Sequence, residues 1–158
     1  MIEYRMTTIE PKTAWAHRKT SPIILAGGLG KRMNSSVPKV LHEIMGQPML
    51  IRIIDTVLET APEEIIIVVG KFRELIGENI YSRYPHMKDK FVLVDQINPQ
   101  GTGHALQCAL NEIKKHQHTN FVVLSGDVPL ITESLISEMS SKSDVDAALA
   151  VMDIEYPC

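Results

Sequence analysis

Ile65 to Val69 is an unbroken run of β-branched residues, and it constrains the fold more than any other stretch of the chain. A helix would crowd such stiff side chains against the preceding turn, whereas a pleated strand accepts them. Apolar throughout, the run has no polar face to offer to water. It therefore reads as a central strand of a parallel sheet, covered on both sides. Ile23-Ile24-Leu25-Ala26, Phe91 to Val94 and Phe121 to Leu124 are shorter runs of the same kind, and Ala147 to Met152 reads as a last strand.

Amphipathic stretches separate these runs. After Gln47-Pro48, the residues Met49, Ile53, Ile54, Val57 and Leu58 fall on one helical face, with Pro48 suited to the first turn. Phe72 to Ile80 reads as helical despite Gly77. Gly103 to Lys115 places Ala105, Leu106, Ala109, Leu110 and Ile113 on an inner face. Thr132 is a candidate N-cap for a short helix carrying Leu135, Ile136 and Met139. Strands alternating with helices specify an α/β fold: a mostly parallel sheet, helices on both faces, right-handed crossovers. Residues 1–20 read as an irregular leader, and 21–158 as one domain.

Composition narrows the function. A net charge of −3 lacks the excess of basic residues that a general nucleic-acid binder needs. Cys108 and Cys158, the only cysteines, form no disulfide framework or metal-ligand spacing, which fits a reducing cytoplasm. The first twenty residues contain no signal-type apolar run, and Ile65–Val69 is far too short to span a bilayer. A cytoplasmic protein without membrane partners is expected.

In open α/β sheets, ligands bind beyond the carboxyl ends of the strands. After the first apolar run come Gly27-Gly28-Leu29-Gly30-Lys31-Arg32. Glycines let backbone N–H groups converge on an anion, and the two cations add charge beside that concavity. Neither familiar phosphate loop fits. A Walker A motif needs glycine where Leu25 stands and a hydroxyl residue in place of Arg32, and a dinucleotide fingerprint needs glycine at Met33. A tight strand-to-helix turn is the plain structural alternative for these glycines.

Leu25-Ala26-Gly27-Gly28-Leu29-Gly30-Lys31-Arg32-Met33 resembles the loop that opens nucleotidyltransferases acting on sugar phosphates. Pro38-Lys39-Val40-Leu41-His42 is similar to a second element of the bacterial N-acetylglucosamine-1-phosphate uridylyltransferases. Gln96 with Gly101-Thr102-Gly103-His104-Ala105 resembles their uracil-reading segment, and Ser125-Gly126-Asp127-Val128-Pro129-Leu130-Ile131 their metal-binding one. The four segments occur in order and at similar spacing from about Ser21 onward. The resemblance implies a Rossmann-like, three-layer fold. It also implies a Mg²⁺-dependent transfer of a uridylyl group from UTP to N-acetylglucosamine 1-phosphate, releasing pyrophosphate.

By that resemblance, Leu25, Ala26, Gly27, Gly28, Gly30, Gln96, Gly101 and Thr102 form the nucleotide pocket. Arg32 holds the β- and γ-phosphates through its planar fork, Lys39 meets phosphate near the reacting centre, and Asp127 binds the metal. Gln96 offers a carboxamide that can pair with the N3–H edge of uracil. Against each stands a plainer role: a solvated charge for Arg32, a snorkelling ammonium for Lys39, a turn cap for Asp127. Lys31 stands where the family usually has threonine and receives no role. His104 reads as a helix-start residue, Asp95 as a strand-end charge, His116 and His118 as a solvated loop, and Trp15 as a packing anchor at most.

In that family the catalytic domain continues past this point with sugar-contacting residues and a second metal ligand. The chain therefore reads as an amino-terminal portion with exposed apolar surface, and self-association is expected. Alternatives are a nucleotidyltransferase for another sugar or alcohol phosphate, and a non-catalytic nucleotide-binding or regulatory piece.

Overall fold

The computed structural model of the chain describes residues 4–8, 20–28, 30, 35–115, 120–142 and 147–152. Its strands are β1 (Tyr4–Thr8), β2 (Thr20–Leu25), β3 (Glu43–Ile44), β4 (Gln47–Pro48), β5 (Ile65–Val69), β6 (Phe91–Asp95), β7 (Asn120–Ser125) and β8 (Ala148–Met152). Its α-helices are α1 (Met49–Glu59), α2 (Arg73–Arg83), α3 (Thr102–Ile113) and α4 (Glu133–Ser141). Every strand and helix expected from Ile23 onward is present, with ends moved by a few residues.

Four strands form a parallel sheet in the order β6-β5-β2-β7. The all-apolar run lies inside it, Ile66 opposite both Ile23 and Val92, and all its side chains are buried. Pro22 lies within β2, opposite Val122 of β7, whereas pairing with β5 begins at Ile23. Its missing N–H thus falls outside the stretch where β2 is paired on both sides.

The crossovers decide which helix covers which face. From β2 to β5 to β6 the chain steps outward in one direction, so right-handed connections place α1 and α2 on the same side. Their Leu50, Ile53, Ile54, Val57, Ile76 and Ile80 pack with Ile24, Ile65, Ile67 and Val69, and α4 adds Ile136 to this cluster. From β6 the chain crosses back past β5 and β2 to β7, which puts α3 on the opposite side. There Ala105 and Ala109 meet Ile23, Ile66 and Val68. Burying each large side chain of the first cluster contributes about 1.5–3 kcal/mol before entropy is set against it.

Three expectations change. Leu110 is 43% exposed instead of inward-facing. It lies about 100° around the helix from Ala109, and the two alanines fix the contact line. Gln47–Pro48 forms a two-residue strand paired with Glu43–Ile44, so the helix begins at Met49 with Pro48 as its cap residue. Residues 1–20 are not wholly irregular: Tyr4–Thr8 is a strand, Thr20 already belongs to β2, and β1 pairs antiparallel with β8 in a separate ribbon. Such pairing joins the two ends of the described chain, which local pattern cannot foresee. The N-cap at Thr132 is as expected, its Oγ1 accepting from Leu135 N at 3.3 Å.

Among the described residues, no helix is long and apolar enough to cross a membrane.

Candidate active site at the carboxyl rim of the sheet

The strand order reverses between β2 and β7: from β2 the next strand lies to one side, and the last lies to the other. A crevice opens beyond the carboxyl ends of two strands at such a reversal. Backbone packing here is tight. Ala26 N donates to Val68 O at 2.8 Å, Gly126 N to Leu25 O at 2.9 Å and Gln96 N to Val69 O at 2.7 Å. The segments leaving β2, β6 and β7 are thereby tied to one rim.

Glycine is required where these segments touch. A Cβ on Gly126 would sit 2.7 Å from Leu25 O and 3.0 Å from Val40 Cγ1, and one on Gly70 would sit 2.8 Å from Gly27 O. These two glycines, each directly after an apolar strand, were not among the sequence candidates. That position in the sequence was the available signal.

Lys39 and Asp127, 88 residues apart, meet at this rim: Nζ donates to Oδ2 at 2.6 Å. A short 3₁₀ turn, Lys39–Leu41, presents the lysine, its Val40 and Leu41 buried beneath it. Ser125 Oγ donates to the other carboxylate oxygen at 2.6 Å. Lys39's hydrogen bond, and then Ser125's, hold the Asp127 carboxyl below its ordinary range, against the opposing effect of burial. Both side chains stay partly exposed, at 43% and 31%, so incoming groups can reach them. Gly30 (φ 55°) lies against Lys39, 3.1 Å separating the lysine Cβ from a Cβ built on the glycine.

Gln96 is buried at 4% exposure. Its Nε2 donates to Gly101 O at 3.1 Å and lies 3.2 Å from His104 Nδ1. Its Oε1 faces Gly27, where a Cβ would approach to 2.9 Å. Gly101 precedes α3 at φ 98°, ψ −178°, a conformation open essentially to glycine alone. Thr102 begins the helix, and Gly28 is open to solvent. Asp95 is more than a strand-end charge, since Arg73 Nη1 pairs with its Oδ2 at 2.9 Å.

The sequence candidates thus fall into two groups on one rim: Gly27, Gln96 and Gly101 in one, Gly30, Lys39 and Asp127 in the other. Leu25 and Ala26 lie between them. Arg32 and Lys31, with His116, His118 and Trp15, lie outside the described residues. A separate groove of about 790 Å³ between the β3–β4 hairpin and α2, lined by Met45, Gln47, Asn79 and Arg83 among others, shares none of these site residues.

Among the described residues no cluster of three metal-ligating side chains exists. One half-exposed carboxylate is nonetheless what a hard divalent cation commonly takes when substrate phosphates and water supply its remaining ligands. Asp127 fits that role, and a preformed all-protein cage does not.

Comparison with known proteins bears on the family and the fold. The model of the MobA-like NTP transferase domain matches residues 22–156. A probable UDP-N-acetylglucosamine pyrophosphorylase of Acanthamoeba polyphaga mimivirus is 40% identical over 116 residues, which are 73% of this chain and 44% of the relative. The bifunctional protein GlmU of Cupriavidus metallidurans is 37% identical over 135 residues, 85% of this chain and 28% of its own. The chain therefore spans less than half the length of these relatives. Among solved structures, a UTP-bound UGPase from Acinetobacter baumannii superposes with a TM-score of 0.59 at 20% identity, covering 80% of this chain and 54% of that one. That likeness concerns the fold alone, a Rossmann-like α/β sheet. With the family model covering most of its length, the chain belongs to the MobA-like NTP transferases, a family of nucleotidyltransferase domains.

Proposed function

We propose that this domain transfers a uridylyl group from UTP to N-acetylglucosamine 1-phosphate, releasing pyrophosphate, with Mg²⁺ as cofactor. The observation that carries the reading is the pairing of Lys39 Nζ with Asp127 Oδ2 at 2.6 Å, at the reversal of strand order. An ammonium and a carboxylate side by side supply one group for phosphate and one for a cation. Support for the uridine and sugar assignments comes from Gln96 and from the names of the relatives.

In the reaction, an oxygen of the sugar phosphate bonds to the α-phosphorus of UTP. The α–β bridging bond breaks, and pyrophosphate leaves with its electron pair. A phosphate monoester's second pKa is about 6, so the nucleophile is already an anion at neutral pH and no general base is needed. Bringing anions together and stabilising the leaving group is the remaining task, and positioned charge performs it. When bound, Mg²⁺ offsets the repulsion between the α-phosphate and the incoming phosphate.

Lys39 exchanges its carboxylate partner for a phosphate oxygen, and Asp127 would hold the cation. Arg32 and the N–H groups of the glycine loop take the β- and γ-phosphates. Ala26, Gly27, Gly101 and Thr102 surround the nucleoside. Gln96 Oε1 accepts from N3–H of uracil. Cytosine has a lone pair there, and two facing acceptors cost about 1–3 kcal/mol.

Pyrophosphate release from UTP, measured with Mg²⁺ and a panel of sugar 1-phosphates, tests the reaction. Release should be fastest with N-acetylglucosamine 1-phosphate and should collapse in Asp127→Ala. Equal release with every sugar phosphate would overturn the substrate assignment. Independently, Gln96→Ala should lose the preference for UTP over CTP, and full retention of that preference refutes its role.

A further inference from the structure

We infer that His104 is a positioning residue for base selection: it fixes the direction of the Gln96 carboxamide and so sharpens the choice of uracil over cytosine. This rests on the uridine reading proposed above, and it gives His104 a role beyond that of a helix-start residue.

A carboxamide presents a donor and an acceptor edge of nearly equal size, and turning it over exchanges them. A reader of base edges is selective only if that rotation is blocked. Gly101 O, 3.1 Å from Gln96 Nε2, can only accept, so it decides which end is nitrogen. The second N–H of the same amide points to His104 Nδ1 at 3.2 Å. For that nitrogen to accept, His104 must carry its proton on Nε2; Cys108 Sγ lies about equally far from both ring nitrogens, 3.9 Å from Nε2 and 4.0 Å from Nδ1, and so does not select the tautomer. Both amide hydrogens are then bonded, and Oε1 is left facing Gly27, with no hydrogen of its own and able only to accept.

Removing the His104 acceptor leaves an N–H of a buried amide without a partner in the uracil-reading direction. The reversed direction, which offers N–H to the lone pair of cytosine N3, is then opposed only by Gly101 O, which would face Oε1. His104 therefore acts through Gln96 and touches no phosphate. Its place in the first turn of α3 directly after Gly101 makes the two acceptors one unit.

The test is equilibrium binding of UTP and of CTP, each with Mg²⁺, to the full chain and to three variants whose folding is checked by thermal melting. His104→Phe keeps a ring without an acceptor, and His104→Ala removes the ring should Phe not fit. His104→Asn can place a carbonyl oxygen near the former Nδ1. The ratio of the two dissociation constants should fall about 3- to 10-fold in His104→Phe and His104→Ala, as loss of one hydrogen bond predicts, and should recover in His104→Asn. A folded Phe or Ala variant that keeps the parent ratio within a factor of two overturns the proposal. So does an Asn variant no more selective than Ala. If the parent chain binds UTP no better than CTP, the uridine reading itself fails, which is a separate result.

Discussion

Replacing Lys39 with methionine removes the ammonium 2.6 Å from Asp127 Oδ2 while keeping most of the apolar stem. Both partners are partly exposed, so solvent screens the pair, and its contribution at neutral pH is about 0.5–1 kcal/mol. For a domain of this size that is a melting-temperature loss of about 1–4 °C. The sign with pH follows from the lowered Asp127 pKa. A depressed carboxyl stabilises the fold above its unfolded value, near 4, and that stability is lost as pH falls through the folded value. The gap between parent and Lys39→Met should therefore be full at pH 7 and narrow steadily below about pH 4. Urea denaturation across this range, without nucleotide or metal, is the assay. An equal deficit at both ends of the range would mean that lost packing, not the ion pair, is responsible, and the electrostatic account of the rim would fail.

Gly126→Ala should destabilise the domain by about 1–3 kcal/mol, because the new Cβ meets Leu25 O at 2.7 Å and that oxygen is already bonded to Gly126 N; an unchanged urea midpoint would contradict the close approach of β2 and the segment after β7. Tyr84→Phe removes a hydroxyl that donates to Asp55 Oδ1 at 2.7 Å, a loss of about 1.5 kcal/mol at neutral pH. Burial, then the Asp55 hydrogen bond, raise the Tyr84 pKa above its ordinary 10.0. The parent's advantage should thus be complete below pH 10 and shrink above it, as the unfolded chain ionises first; a gap that widens with alkali would sink this reading.

The sequence alone determined the parallel sheet and its helices, because both signals are local. Five β-branched residues cannot be half-solvated, and the helical period reports which residues share a face. It also located the rim, since ligand-binding residues in such sheets follow the strands directly: Gly27, Gln96 and Asp127 each come within two residues of a strand's end. Period does not report which neighbour a face will meet, and so Leu110 is exposed although it shares the apolar stripe with Ala105 and Ala109, which are buried in the contact, and with Leu106 and Ile113, which pack against it. Nor does it report pairings between distant segments. The meeting of Lys39 with Asp127, the bracing of Gln96 by Gly101 and His104, and the β1–β8 ribbon depend on strand order, register and crossover hand. Those are settled only when the whole core packs at once, because each is a contact whose partners no local preference selects.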